Sequence, residues 1–144
     1  MEIEKLKEKD LKDLIFLYKD AFGTETNYDK MYAAFRKVEK DINHIILCAK
    51  SDGKVVGSVL GVICYELIGD CTPFMVIEDV AVLCSYRRQG IARQLLQKLE
   101  EHAKMQNCNM ILFVSSKHRT GAHRLYESLG YGIDGVNGYR KRLK

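Results

Sequence analysis

Proline is almost missing from this chain. Pro73 is the only one in 144 residues, and there is no tryptophan. Without a Pro-, Ser- or Gly-rich stretch there is no linker, and no repeat or low-complexity segment interrupts the sequence. The expectation is a single domain over residues 1–144, a normal size for one. Apolar runs are short. Ile45-Ile46-Leu47-Cys48-Ala49 is typical, far below the roughly 18–20 residues of a membrane span. The start, MEIEKLKEKD, is charged from its second residue and lacks the apolar core of an export signal. The expected location is the cytoplasm, with no membrane partner.

Charge of one sign is also scarce. Lys and Arg number 23 against 19 Asp and Glu, a net charge of +4. With 47% hydrophobic residues, that excludes a disordered chain. It suits a protein that binds a small polyanion without demanding one. Cysteine pairs are missing too. Cys48, Cys64, Cys71, Cys84 and Cys108 are odd in number and widely spaced, with no CxxC. They are expected to be reduced and mostly buried thiols.

What is present is an alternation of patterns. Strands are expected at Glu2–Leu6, His44–Ala49, Val55–Tyr65, Met75–Leu83 and Met110–Val114. Two more are expected at Tyr131–Ile133 and Tyr139–Leu143. Apolar residues at helical spacing predict helices at Asp10–Phe22, Tyr28–Val38, Gly90–Lys104 and Thr120–Leu129. Gly23 and Gly130 are suited to end two of them. The order β-α-α-β-β-β-α-β-α-β-β describes an α/β domain with a mixed central sheet. Its strand-helix-strand crossover spans residues 75–114, which requires parallel strands. Ligands in such sheets sit beyond the carboxyl ends of those strands. Attention therefore goes to Leu83–Ala92 and Val114–Arg119.

The first of these stretches reads Tyr86-Arg87-Arg88-Gln89-Gly90-Ile91-Ala92. A helix start has unpaired N–H groups and partial positive charge. Gly90 and Ala92 let an anion approach those amides closely. Arg87 and Arg88 add full charge, so the loop can hold a pyrophosphate. The plainer alternative is two solvated arginines before an ordinary helix.

Arg87-x-x-Gly90-x-Ala92 resembles the Arg/Gln-x-x-Gly-x-Gly/Ala signature of the GNAT family of N-acetyltransferases. Val76-Ile77-Glu78-Asp79-Val80-Ala81-Val82 is similar to that family's central strand. Ala122-His123-Arg124-Leu125-Tyr126, running on to Gly130-Tyr131, is similar to its Ala-x-x-[Phe/Leu]-Tyr-x-x-x-Gly-[Phe/Tyr] pattern. The resemblance spans nearly the whole chain and is strongest from Met75 to Tyr131. It implies transfer of an acetyl group from acetyl-CoA to a primary amine, by direct attack in a ternary complex and without a metal. The amine acceptor would be a small molecule or a peptide. A homodimer is a further expectation, since the family often dimerises.

The resemblance also distributes roles. The pyrophosphate would rest on Arg87, Arg88, Gln89, Gly90, Ile91 and Ala92. The pantetheine arm would pair with the strand backbone at Val80, Ala81 and Val82, as an added strand. Glu78 would take the acceptor's proton, often through water. Its alternative is a solvated strand carboxylate. Asp79, pointing to the opposite face by strand alternation, is expected to be structural. Tyr126 would donate a proton to the leaving thiolate. Its alternative is a half-buried helix aromatic. The Val80 N–H would hold the oxyanion. Arg119 stands where many members have Asn, and it could meet a CoA phosphate. Tyr28, Tyr32 and Phe35 either shape the acceptor pocket or pack in the core. A non-catalytic acyl-CoA-binding sensor or partner module is the alternative function.

Other signals are weaker. Gly130-Tyr131-Gly132-Ile133-Asp134-Gly135 has the letters of a dinucleotide fingerprint, but it follows a helix instead of opening one. His118 and His123 are five apart, not the four of a helical metal pair. Ser115 and Ser116 read as loop residues at a strand end. The basic tail Gly138-Tyr139-Arg140-Lys141-Arg142-Leu143-Lys144 lacks the stacking aromatics of a nucleic-acid site. No nucleic-acid partner is expected.

Overall fold

A computed structural model describes all residues from 1 to 144. The elements are β1 (Glu2–Lys5), α1 (Leu11–Phe22), α2 (Tyr28–Lys40), β2 (His44–Ser51) and β3 (Lys54–Cys64). They continue with β4 (Phe74–Val82), α3 (Ile91–Met105), β5 (Ile111–Leu112) and α4 (Thr120–Ser128). No helix is long and apolar enough to cross a membrane.

Local chemistry explains the helix ends. Gly23 takes φ 71° and returns its N–H to the Lys19 carbonyl, closing α1. Asn27 opens α2 by accepting the Lys30 N–H on its side chain at 3.0 Å, as an N-cap does. The strands form one sheet in the order β1-β2-β3-β4-β5. Every pairing is antiparallel except β4 with β5. The mixed α/β class read from the sequence is the class observed.

Two apolar layers sandwich that sheet. On one face α3 contributes Ile91, Leu95, Leu96, Leu99 and Ala103, against Ile45, Leu47, Val59, Met75 and Ile77. Burying each such large side chain contributes roughly 1.5–3 kcal/mol. The approach is close. A Cβ on Gly57 would come within 2.9 Å of the Ile91 side chain, and one on Gly61 within 3.1 Å of Leu99. Leu11, Leu14 and Leu17 of α1 and Phe35 of α2 bury the other face with Cys48, Val55 and Ala81. Of the aromatic residues expected on α2, Phe35 is core.

β4 carries two irregularities that shape the site. Leu60 pairs with Glu78 and Ser58 with Ala81. One β3 residue therefore opposes two on β4, Asp79 and Val80, which is a bulge. Asp79 adopts φ 56° there. Before the bulge, Met75 and Ile77 face α3; after it, Val80 and Val82 pack on that same cluster, while Ala81 joins the α1 layer. The phase thus shifts by one residue, and Glu78 and Asp79 fall on the same, α1-facing side. The expectation that Asp79 would face away from Glu78 is corrected, because alternation fails across a bulge. The second irregularity is that β5 pairs with β4 only at Met75↔Ile111 and Val76↔Leu112. Beyond Val76 that edge of β4 is open.

Three further expectations are corrected. The strand expected at Met110–Val114 is two residues long. Tyr131–Ile133 and Tyr139–Leu143 form no strand, so the order ends β-α-β-α. Gly132 takes φ 84°, a left-handed turn through which a strand cannot run, and β5 ends too early to template a long neighbour. Finally, all five cysteines are free, but only Cys48 is buried; Cys71 and Cys84 are exposed.

Candidate active site

A cleft of about 840 Å³ opens where β4 and β5 part. Its floor is the β4 edge at Val80 and Val82. One wall is the turn after β4 and the start of α3, with Arg87, Arg88, Gly90, Ile91, Ala92 and Arg93. The other wall is the segment entering α4, with His118, Arg119 and Thr120, and then Tyr126 along the helix. Five arginines (Arg87, Arg88, Arg93, Arg119 and Arg124) line it, and no carboxylate does. A second cavity, of about 290 Å³, lies at the far end of α3 and holds none of the expected site residues.

The start of α3 presents uncapped amides beside positive charge. Arg88 and Gly90 both adopt left-handed backbone, at φ 61° and 79°. Left-handed residues in a turn gather N–H groups into a concave nest. Gly90 is the N-cap, no side chain caps the helix, and its first turn carries no acid. Space beside Gly90 is open, with no atom within 4 Å of a Cβ placed there. An incoming anion would meet bare amides and positive charge.

The open edge of β4 has two carbonyls held by side chains. Arg87 Nε donates to the Val82 oxygen at 3.3 Å. Arg119 Nη2 donates to the Val80 oxygen at 3.5 Å. These are acceptors that an extended amide-bearing ligand could use in strand fashion. Tyr126, 7% exposed, packs edge-on against Phe113 with ring centroids 4.7 Å apart. Burial pushes its phenol up, and the Arg119 charge pulls it back in part.

Glu78 does not line this cleft. It lies on the α1-facing side of the bulge, exposed, with its carboxyl pushed up first by desolvation and then by the neighbouring Asp79 charge; Arg140 opposes the rise. Asp79 is pushed up by desolvation. Its charge reaches the partly buried Tyr18 of α1, whose phenol desolvation raises strongly. The bulge therefore separates a cationic side from an acidic side of one strand.

Nine expected residues meet in the cleft: Val80, Val82, Arg87, Arg88, Gly90, Ile91, Ala92, Arg119 and Tyr126. Gln89 does not line it, and the Ala81 side chain is buried in the α1 layer. Sequence reasoning missed Arg93 and Arg124. Their only advance signal is helical position, one within the first turn of α3 and one near the start of α4. Arg93 also ties the two helices, donating to Ser128 Oγ at 2.7 Å. No group of three or more His, Cys, Asp or Glu is placed to hold a metal ion.

The site is therefore the open edge of β4 in a mixed sheet, with a cationic helix start beside it. Comparison with known proteins gives the family. Residues 9–131 match the model of the acetyltransferase (GNAT) family, and the chain belongs to that family. A curated relative, aminoglycoside N(6')-acetyltransferase type 1 of Salmonella typhimurium, is 27% identical over 97 residues, covering 65% of this chain and 67% of the relative. Among solved structures, a protein of Agrobacterium tumefaciens put forward as an acetyltransferase superposes with a TM-score of 0.91 at 24% identity, covering 99% of both chains. A protein of Bacillus halodurans described as a transcriptional regulator superposes at 0.88 with 27% identity and 98% coverage of both.

Proposed function

We propose that this acetyltransferase-family chain moves an acetyl group from acetyl-CoA to a primary amine by direct attack within a ternary complex. The single observation that carries the reading is the acid-free, five-arginine cleft, running from the bare start of α3 to the strand-unpaired edge of β4. Its parts fit a ligand with a pyrophosphate at one end and an amide-bearing arm at the other. Acetyl-CoA would supply the activated acetyl thioester.

The chain's own residues do the rest. Arg87, Arg88 and the amides from Gly90 to Ala92 hold phosphate charge. Val80 and Val82 offer backbone groups to the arm, ending it at the bulge. The Val80 N–H meets negative charge developing on the carbonyl oxygen. On the other side of the bulge, Glu78 accepts the proton that the acceptor amine must lose, directly or through one water. Its raised carboxyl brings it nearer the pH at which such a base works. Tyr126 returns a proton to the departing sulfur. No cysteine is needed as nucleophile.

The acceptor would reach the acidic side, where Glu78 and Asp79 together suit a cationic amine. The aminoglycoside specificity of the Salmonella relative supports a small polyamine-like acceptor of that kind. The test is turnover of acetyl-CoA against aminoglycosides, polyamines, amino sugars, amino acids and short peptides, with products identified by mass. An acetylated amine is expected. Thermal stabilisation by CoA without any acetylated product would replace the enzyme with a binding module, and absence of both would end the reading.

A further inference from the structure

Arg119 lies on the wall of the cleft opposite the start of α3. It is the N-cap residue of α4, and its backbone is tied on both sides: its N–H donates to the Ser116 oxygen and its carbonyl accepts from His123, each at 3.1 Å. From there the half-buried side chain crosses the cleft. Its guanidinium donates to the Val80 oxygen at 3.5 Å and stacks on the Phe22 ring at the end of α1, 5.3 Å from the centroid. Phe22 is itself backed by Tyr18, with centroids 5.9 Å apart. Three elements, α4, β4 and α1, therefore fix one cation directly over the bulge.

The level along β4 matters. Arg87 holds the Val82 oxygen. Val80 is two residues further in, about 7 Å along a strand, away from the start of α3 and towards Tyr126. Tyr126 couples to it from its own helix; Arg87, Arg88, Arg93, Arg124 and His118 line the same cleft, and Asp20 of α1 lies within reach of Arg87. Glu78 and Asp79 belong to the far side of the bulge. In this half-dry setting a guanidinium stays charged and attracts any anion formed beside it.

We propose that Arg119 is a catalytic residue that carries the negative charge of the departing thiolate. The inference rests on the acetyl-CoA reading above and deepens it. When the amine nitrogen attacks the thioester carbonyl carbon, the C–N bond forms and the C–S bond breaks with its electron pair on sulfur. The amine's proton leaves on the Glu78 side. Arg119 pairs with the sulfur anion until Tyr126 protonates it, so the phenol need not complete its transfer as the bond breaks.

An equilibrium measurement tests this without turnover. A thiol ordinarily titrates near 8.5, and a close cation lowers its pKa by about 1–3. CoA and desulfo-CoA, which lacks the sulfur, are titrated calorimetrically into the protein at pH 6.5 and 9.0. Protein groups that do not touch the sulfur are common to both ligands and cancel in the affinity ratio. With the wild-type chain the ratio of CoA to desulfo-CoA affinity should rise about sevenfold or more between these pH values, the rise that lowering the bound thiol's pKa by about 1 produces. In Arg119→Gln the ratio should stay flat, and Arg119→Lys should restore part of the rise. Acetyl transfer by Arg119→Gln should lose kcat by more than any loss of desulfo-CoA affinity. A flat ratio in the wild type, or a rise retained in Arg119→Gln, overturns the thiolate role while leaving cofactor binding intact. Failure of both ligands to bind the wild type overturns that role and the acetyl-CoA reading together. A flat wild-type ratio overturns the role even where a variant does not fold.

Discussion

Asp20 Oδ2 accepts the backbone N–H of Cys84 at 2.7 Å. Cys84 opens the turn that delivers Arg87 and the α3 start, so a carboxylate at the end of α1 anchors that turn. The hydrogen bond from Cys84 is the main reason that the Asp20 carboxyl sits below the usual range. Asp20→Ala should weaken acetyl-CoA binding by roughly tenfold, the scale of a charge-assisted contact. A depressed carboxylate keeps its contribution above its ordinary value and loses it as pH falls through the lowered one. The loss should therefore be equal at pH 6 and pH 8. Calorimetry giving wild-type affinity would remove Asp20 from any part in that binding.

Glu78 has the opposite sign. Its carboxyl is raised, by desolvation first and by Asp79 second, so its proton-accepting form is lost earlier as pH falls. Glu78→Gln should lower kcat/KM about 10²-fold, a typical loss for a general base, and the gap to wild type should narrow as pH falls and the wild-type carboxylate takes up its proton. Asp79→Asn removes a like charge and should move the acid limb of the wild-type profile to lower pH. An unmoved limb in Asp79→Asn, with an unchanged profile in Glu78→Gln, would leave the bulge without a proton-transfer role.

The Tyr126 phenol is held above its ordinary value by burial. It keeps its proton through neutrality and loses it only at strongly alkaline pH. Tyr126→Phe should cut kcat about 10²-fold, with acetyl-CoA affinity nearly constant, because Phe preserves the edge contact with Phe113. Wild-type turnover by this variant would rule the phenol out as proton donor.

Away from the site, Lys50 Nζ lies 2.7 Å from Glu4 Oε1 and 2.8 Å from Asp10 Oδ1, with the Lys50 and Asp10 side chains 7% and 4% exposed. Desolvation alone would push the Lys50 ammonium down, but its bonds to Asp10 and Glu4 outweigh that and raise it. Lys50 lowers the Glu4 carboxyl in return. The Glu4 contribution is present above the ordinary carboxylate value and lost as pH falls through the depressed one. The Lys50 contribution is present below the ordinary lysine value and lost as pH rises through the raised one. The triad thus supports folding across neutral pH. Lys50→Met strands Asp10 and should cost about 3–5 kcal/mol, as breaking a buried pair does. Urea unfolding measures it, and a loss under about 1 kcal/mol, the worth of an exposed pair, would show the triad to be solvated.

Much of the site could be read in advance. The Arg87-Arg88-Gln89-Gly90 stretch announces a cationic helix start, because the requirement is local: small residues, a left-handed position and adjacent charge. The apolar steps of Ile91, Leu95 and Leu99 likewise place α3 on the sheet. Asp79 is the instructive miss. Its direction depends on one extra residue in β4 relative to β3, a register fact absent from either strand alone. Arg124 was missed for a similar reason, since nothing within its own helix says which face borders the cleft.

The class of fold, the helices and the cationic helix start therefore follow from short-range chemistry, where spacing, caps and charge act within a few residues. Strand ends do not. Tyr131–Ile133 and Tyr139–Leu143 have strand composition but find no partner beyond a two-residue β5, and strands exist only through pairing. The bulge that divides the acidic side from the cationic side, and the reach of Arg119 from α4 across Val80 to Phe22, arise only when distant segments pack. Both depend on three-dimensional register, so tertiary structure alone decides where the charges of this site stand.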